Sequence, residues 1–497
     1  MKMKNLLLLV TICIFSVCNG QKVSFKESLG GNLPEYGYRA CQTYDKGYIA
    51  VGSTSSFTNG NTDVYVVKTD SNGTVEWSKN YGSPEIEVGR YVEELSDSSL
   101  IIVGYTNSNT ANGYDIYLLR LDRWGGKIWE KTIGGSDWEF GYCVHQTNDG
   151  NLIIAGGTYS YGAGNEDMYL VKTNLNGDTI WTKTYGGTDD DEARSVKQTS
   201  DGYYIVSGVT KSFYDPNGDA YVVKTNSSGD TLWTKSYGGA KADIANDIIE
   251  CKNGDYALCG NTGSFSNDNV DFYVLRIKND NSFIWDFHIG KDSAYDNLDQ
   301  LVETASGNLA CIGSTFGFSG GGGEDGYLQF LTASGNNSIT NPTYGTGQDD
   351  GCFSIARTSD NGFIICGFTD TTRIGYNESN MLLIKSDSTG IIPGMKFLLS
   401  VQTISNNMIT SVKTYPNPFS DETHLIINTS SIIHLSEFNL TVTDIIGNIC
   451  DISYQITDMQ SNQLELKLNK GNIKRGVYFI HYFFGPEITG VSKVIIE

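Results

Sequence analysis

One stretch of about 52 residues returns seven times along this chain, and nothing else limits its fold so severely. An aromatic anchor marks the period at Phe25, Trp77, Trp129, Trp181, Trp233 and Trp285, in five successive steps of 52. A Tyr-Gly or Gly-Gly signature follows the anchor, as at Tyr81-Gly82 and Tyr185-Gly186-Gly187. An Asp-x-Tyr triplet recurs at Asp63, Asp115, Asp167, Asp219, Asp271 and Asp325. Periods of this length belong to solenoids, propellers or arrays.

One unit, 139–187, holds four apolar stretches, at 142–147, 151–158, 167–173 and 179–185. None has helical spacing, and all are rich in Val, Ile, Tyr and Thr, which fit pleated surfaces. The run Leu152-Ile153-Ile154-Ala155 is apolar on both faces, which predicts a strand covered on both sides. Asp149-Gly150 and Asn176-Gly177 predict tight two-residue hairpin turns. A glycine stands late in every second strand, at Gly52, Gly104, Gly156, Gly208, Gly260, Gly313 and Gly367. Such a glycine marks close approach of another group, here expected to be a neighbouring aromatic such as the anchor. The seventh unit ends near Pro393 without its fourth strand, and residues 23–26 supply an orphan copy of that strand. An open solenoid would need polar caps instead. The expected fold is therefore all-β: a seven-bladed β-propeller of four-stranded blades over 21–394, its N-terminal strand closing the last blade.

The two ends have other tasks. Residues 1–20 read as a signal peptide, with Lys2 and Lys4 ahead of an apolar core and a small-residue cleavage site before Gln21. No other stretch approaches the roughly 18 apolar residues of a membrane span, so no transmembrane segment is expected in the mature chain. A polar linker at 395–411 leads to alternating strands over 412–497, which predict a small β-sandwich. That module closely resembles the type A C-terminal sorting domain of the type IX secretion system of Bacteroidetes. The resemblance rests on Tyr415-Pro416-Asn417-Pro418-Phe419, on Asp444-Ile445-Ile446-Gly447, on Gly476-Val477-Tyr478-Phe479 and on the closing Lys493-Val494-Ile495. It implies the type IX machinery as a partner, passage through the outer membrane, and release or attachment at the cell surface. The propeller repeat resembles secreted repeat proteins of the same bacteria.

A net charge of -22 argues against nucleic acid and is compatible with cations, neutral glycans or simple solubility. Eight cysteines follow the leader without CxxC spacing or histidine partners, and Cys259 and Cys366 occupy a repeat position filled elsewhere by valine, so they read as small buried hydrophobes.

Candidate sites follow from the repeat. The loops from second to third strand are long and varied and share one face, where function is expected. An acid opens the innermost strand of every unit: Glu35, Glu87, Glu139, Asp191, Asp243, Asp296 and Asp350. These seven should ring one mouth of the central channel, where two charges about 10 Å apart repel by about 1.7 kcal/mol at an effective dielectric of about 20. Either each acid caps its interblade turn, or the ring holds a cation or polar ligand, Ca2+ being the cofactor it would take. The long loops repeat an aromatic (Phe57, Tyr161, Phe213, Phe265, Phe318), which either contacts a glycan or surface protein or tucks down between blades. Lys68, Arg120, Lys172, Lys224 and Arg276 recur in third strands and read as partners of nearby acids. No hydrolase elbow, zinc-protease or phosphate-loop motif is present, so no enzyme is expected. The sequence points to a secreted or surface binding module; the alternatives are a polysaccharide-acting enzyme using acids at the channel mouth, and a structural surface component.

Overall fold

Runs of Val, Ile, Thr and Tyr separated by turn residues form strands from end to end. A computed structural model describes residues 24–392 and 409–496, without 59, 109, 111–112, 214–215, 267–268, 291–293, 319–322, 338–340, 346–347, 371–378, 430–437, 445–448, 451–452, 461–462, 471–472 and 485–487. The leader expected at 1–20, most of the linker at 395–411 and Gly447 lie outside these residues. The chain divides into two units, 1–395 and 396–497.

The first unit is a β-propeller of four-stranded antiparallel sheets. Seven such sheets span 35–81, 87–133, 139–185, 191–237, 243–289, 296–344 and 350–386, and are numbered 1 to 7 in chain order. Strands run outward in sequence within each sheet, each sheet packs on the next, and sheet 7 packs on sheet 1. Phe25–Leu29 supplies the outermost strand of sheet 7, pairing antiparallel with Ser379–Ser386 so that Phe25 faces Lys385 and Leu29 faces Met381. The ring thus closes through the chain's own N-terminal strand. In sheet 3 the middle strands Leu152–Thr158 and Asp167–Thr173 are buried throughout, whereas the outermost, Thr179–Tyr185, is half-buried to exposed at every residue but Tyr185.

The anchors and glycines divide the packing differently from the expectation. The Trp129 ring lies over Gly177, in the outer hairpin of the next sheet, where a Cβ would come within 2.9 Å of it. Phe25 sits in the same way over Gly73, Trp77 over Gly125, Trp181 over Gly229 and Trp285 over Gly335. The second-strand glycine seats no aromatic. A Cβ on Gly156 would stand 1.7 Å from the Phe140 carbonyl oxygen, and all seven such glycines meet the same carbonyl at 1.7 to 1.9 Å. The close neighbour is backbone, because the innermost strand bulges at this point.

The inner hairpins are five-residue connections, not two-residue turns. Thr147 N–H donates to Asn151 O at 2.9 Å, Gly150 N–H donates to Thr147 O at 2.8 Å, and Gly150 takes a φ of +79°. A turn followed by one left-handed residue is the usual longer hairpin. Its aspartate meets the recurring third-strand cation: buried Lys172 Nζ lies 3.1 Å from Asp149 and donates to Tyr204 OH of the next sheet at 2.8 Å. Lys68–Asp45, Lys224–Asp201 and Lys385–Asp360 repeat the pair at 3.0 to 3.1 Å.

In the second unit two four-stranded sheets enclose a separate apolar core. Leu425, Ile427, Leu464 and Leu466 come from one sheet; Val442, Ile480, Val494 and Ile496 come from the other.

Candidate functional site

Every innermost strand carries one β-bulge at the same register. In sheet 3 the pairing with the second strand slips between Gly141 and Cys143, leaving Tyr142 as the extra residue. The same slip occurs at Tyr38, Arg90, Arg194, Asn246, Asp299 and Phe353 in the other sheets. A bulge sets two residues against one and re-aims a side chain. Each bulged residue therefore shares the channel with the residue after it: Arg39, Tyr91, Cys143, Ser195, Asp247, Gln300 or Ser354. Together with Glu192 these side chains line a cavity of about 420 Å³ where the seven innermost strands converge.

The channel has two chemically distinct sides. Sheets 7, 1 and 3 contribute Phe353, Tyr38 and Tyr142, with Tyr38 stacked on Phe353 at 5.7 Å between centroids. Sheets 4 to 6 contribute Glu192, Arg194, Asn246, Asp247, Asp299 and Gln300. Most of these polar groups satisfy one another. Arg194 donates to Asn246 Oδ1 at 2.6 Å and pairs with Glu192 at 3.2 Å. Asp247 accepts from Ser195 Oγ at 2.6 Å and lies 3.7 Å from Lys197. Arg39 stacks over the Tyr91 ring at 4.5 Å and donates to Gln300 Oε1. Asp299 accepts from Asn297 Nδ2 at 2.8 Å, and burial pushes its carboxyl up to about 7. Arg90 is different. Its guanidinium lies 4.3 Å from the Tyr38 centroid and 5.7 Å from that of Tyr142, and it makes no hydrogen bond or ion pair with any described residue.

A second polar cluster borders this cavity. His145 Nε2 stands 3.0 Å from Tyr91 OH and 2.8 Å from Lys197 Nζ, while its Nδ1 is bonded to Glu93. Burial raises the Cys143 thiol's affinity for its proton, but Lys197 and His145 outweigh it and bring the thiol down to about 7. Cys41, Cys143, Cys251, Cys259, Cys311, Cys352 and Cys366 are all free thiols.

The seven acids open their strands as the repeat predicts, yet none lines the cavity. Each is buried. Glu139 accepts from Gly135 N at 2.7 Å, from Thr158 Oγ1 at 2.7 Å and from Ser160 N at 3.2 Å. Glu35 repeats that set with Gly31, Thr54 and Ser56, and Glu87 with Ser83 and Thr106. Asp191 and Asp243 accept from Gly187 N and Gly239 N at 2.7 and 2.8 Å, and Asp296 accepts from Thr315 Oγ1. Asp350 holds the same buried place opposite Thr369. The expected channel-mouth ring is thus a set of buried clamps joining the interblade turn to the second strand. Most of their oxygens face N–H and O–H donors, with Asp191 Oδ1 a buried exception, and among the described residues no group of three or more His, Cys, Asp or Glu has the arrangement of a metal site. Glu139→Ala should cost about 2 kcal/mol by stranding these donors, read as a lower urea midpoint. Calcium or EDTA should leave the wild-type midpoint unchanged; stabilisation by calcium would instead return the ring to a cation-binding role.

The loop aromatics pack on the tyrosine of the Asp-x-Tyr triplet in their own sheet: Phe57 on Tyr65, Tyr161 on Tyr169, Phe213 on Tyr221, Phe265 on Tyr273 and Phe318 on Tyr327, at 5.3 to 5.8 Å. One ring face is covered; Phe57, Tyr161, Phe213 and Phe265 remain 36 to 47% exposed.

In the second unit, Asn417 fastens the opening motif to the last strand. Its Nδ2 donates to Lys493 O at 3.0 Å, its Oδ1 accepts from Ile495 N at 2.8 Å, and Phe419 is buried in the core. Tyr415 stacks on His424 at 5.3 Å, the Pro416 carbonyl accepts from Thr423 Oγ1 at 2.6 Å, and Pro418 is exposed. Gly476 begins the strand Gly476–Phe484.

Comparison with known proteins agrees with this division. Residues 413–497 match the family described as secretion system C-terminal sorting domain. Residues 147–179 match the domain of unknown function (DUF5122) beta-propeller. The regulatory protein FlaEY of Caulobacter vibrioides is 27% identical over a match covering 33% of this chain and 20% of that protein. Among solved structures, puromycin hydrolase aligns with a TM-score of 0.45 at 10% identity, covering 79% of this chain and 58% of the hydrolase. The beta-propeller domain of the Trilobed protease from Pyrococcus furiosus aligns with a TM-score of 0.40 at 8% identity, covering 73% of this chain and 98% of that domain. The sorting domain marks the chain for export, to the medium or the cell surface. This is a β-propeller protein with a C-terminal secretion sorting domain.

Proposed function

We propose that the protein is a secreted, non-enzymatic binding module. In this reading a seven-bladed propeller at 21–394, handed to the type IX machinery by residues 412–497 across a linker at 395–411, takes a small polar ligand into its central channel, with glycans as the favoured class. One observation carries the reading: the repeat breaks where the channel is lined. Positions that hold the sheets together are nearly constant, whereas the bulged position reads Tyr38, Arg90, Tyr142, Arg194, Asn246, Asp299 and Phe353. A purely structural ring has no use for seven side chains of such different chemistry at one register. A cavity of about 420 Å³ lies within the usual range for small-molecule sites. An aromatic wall facing amides and carboxylates suits a sugar ring, which has a C–H face and a hydroxyl rim. The half-exposed loop aromatics would give an outer contact surface for a longer glycan or a surface protein.

The test is binding of the purified protein to an arrayed glycan panel, repeated with Tyr38→Ala and Tyr142→Ala. Binding lost in both variants is the expected result. Binding that survives both would move the site to the outer loops, and a panel with no binder would sink the glycan reading.

A further inference from the structure

We infer that Arg90 is the receptor for an anionic group on the channel ligand, and that the ligand is a short acidic oligosaccharide with a uronate-type carboxylate. The inference rests on the channel-binding reading and adds the ligand's charge. Every other lining cation has a hydrogen-bond acceptor: Arg194 has Glu192 and Asn246, and Arg39 has Gln300. Arg90 has two aromatic faces and no acceptor among the described residues. Cation–π contacts with Tyr38 and Tyr142 hold the guanidinium in the channel without occupying its N–H donors. A planar fork so held fits a carboxylate through two parallel hydrogen bonds, which an ammonium cannot reproduce. Arg90 is half-buried and acts on the Asp299 carboxylate electrostatically without a hydrogen bond or ion pair to it, so its N–H donors stay available to a ligand carboxylate.

On the polar side of the channel Asp299 Oδ2 has no hydrogen-bond partner among the described residues and can meet a sugar hydroxyl. Burial raises the Asp299 carboxyl to about 7, so it opposes an incoming anion less than an ordinary aspartate would. The protein's net charge of -22 opposes polyanions at long range. That favours a short acidic oligosaccharide over a long acidic polymer.

The experiment is calorimetric titration of the full chain with a glucuronate-terminated disaccharide and with its uncharged methyl ester. Wild type should bind the acid about 30-fold more tightly than the ester, the value of a charge-assisted bidentate contact. Arg90→Gln should bind acid and ester alike, and Arg90→Lys should retain the charge but lose about tenfold in affinity for the acid. Unchanged urea midpoints would show that both variants fold. If wild type binds acid and ester equally, or if Arg90→Gln keeps the preference, the assignment of Arg90 is overturned while the channel remains a sugar site. If wild type binds neither form, and the glycan panel is also empty, the channel-binding reading falls as well.

Discussion

Gly156→Ala is expected to destabilise the propeller by about 3 kcal/mol or more, and to disturb the channel although no side chain of residue 156 lines it. The added Cβ would stand 1.7 Å from the Phe140 carbonyl oxygen and 2.8 Å from the carbonyl carbon. Neither can move aside as the tip of a flexible side chain would, because Phe140 belongs to the innermost strand and pairs with Gly157. Relief requires shifting that strand, and with it the bulge that aims Tyr142 into the cavity. Gly150→Ala is the matched control: its φ is +79° but nothing lies within 4 Å of the new Cβ. It should lose about 1 kcal/mol, the cost of a left-handed alanine. Urea midpoints measured side by side separate steric clash from backbone strain. A loss for Gly156→Ala no larger than that for Gly150→Ala would mean that the strand yields freely and that the bulge is soft.

These two glycines also show what could be read from the sequence. Both recur, so both could be recognised as needed. A Gly in a hairpin declares its own reason, a positive φ. Gly156 owes its conservation of place within the repeat to a bulge in another strand, and a bulge leaves no residue signature when the extra residue is Tyr, Arg, Asn, Asp or Phe in turn. The repeat alone therefore points the anchor tryptophans to the wrong glycine, since the one that receives Trp129 is Gly177, a sheet away. The Lys–Asp pairs were easier, because Lys172 and Asp149 each repeat and opposite charges buried together are expected to pair. The acids follow the capping alternative and do not line the channel: Glu139 repeats because every interblade turn needs the same acceptor, and that constancy belongs to structure. The channel residues are hard to read for the converse reason: Arg90 and Asp299 do not repeat. The available signal was the loss of repetition at one register between a small residue, as at Gly89, and an apolar one, as at Val92.

Deleting residues 21–30 should abolish the soluble monomer, the largest effect expected for any change in this chain. Phe25–Leu29 covers the edge of Ser379–Ser386, whose Met381, Leu382, Leu383 and Ile384 are fully buried. Without it, a row of unpaired N–H and C=O groups opens on an apolar strand, a template for pairing with a second chain. The same strand bridges the seam of the ring. The Phe25 ring meets Tyr48 of sheet 1 edge-on at 5.6 Å and lies over Gly73 in the outer hairpin of that sheet. Loss of the strand therefore removes both the edge cover of sheet 7 and its outer tie to sheet 1. Sedimentation velocity should show dimers and larger species in place of monomer. A synthetic peptide of residues 22–31 added in trans should restore the monomer, because it can pair with Ser379–Ser386 in the native register. The same peptide with Phe25→Ala should bind at least about tenfold more weakly, since burying a phenylalanine side chain contributes roughly 1.5–3 kcal/mol. A truncated protein that stays monomeric with an unchanged urea midpoint would show that face-to-face packing of sheets 7 and 1 holds the ring by itself, and that the N-terminal strand is only an edge guard.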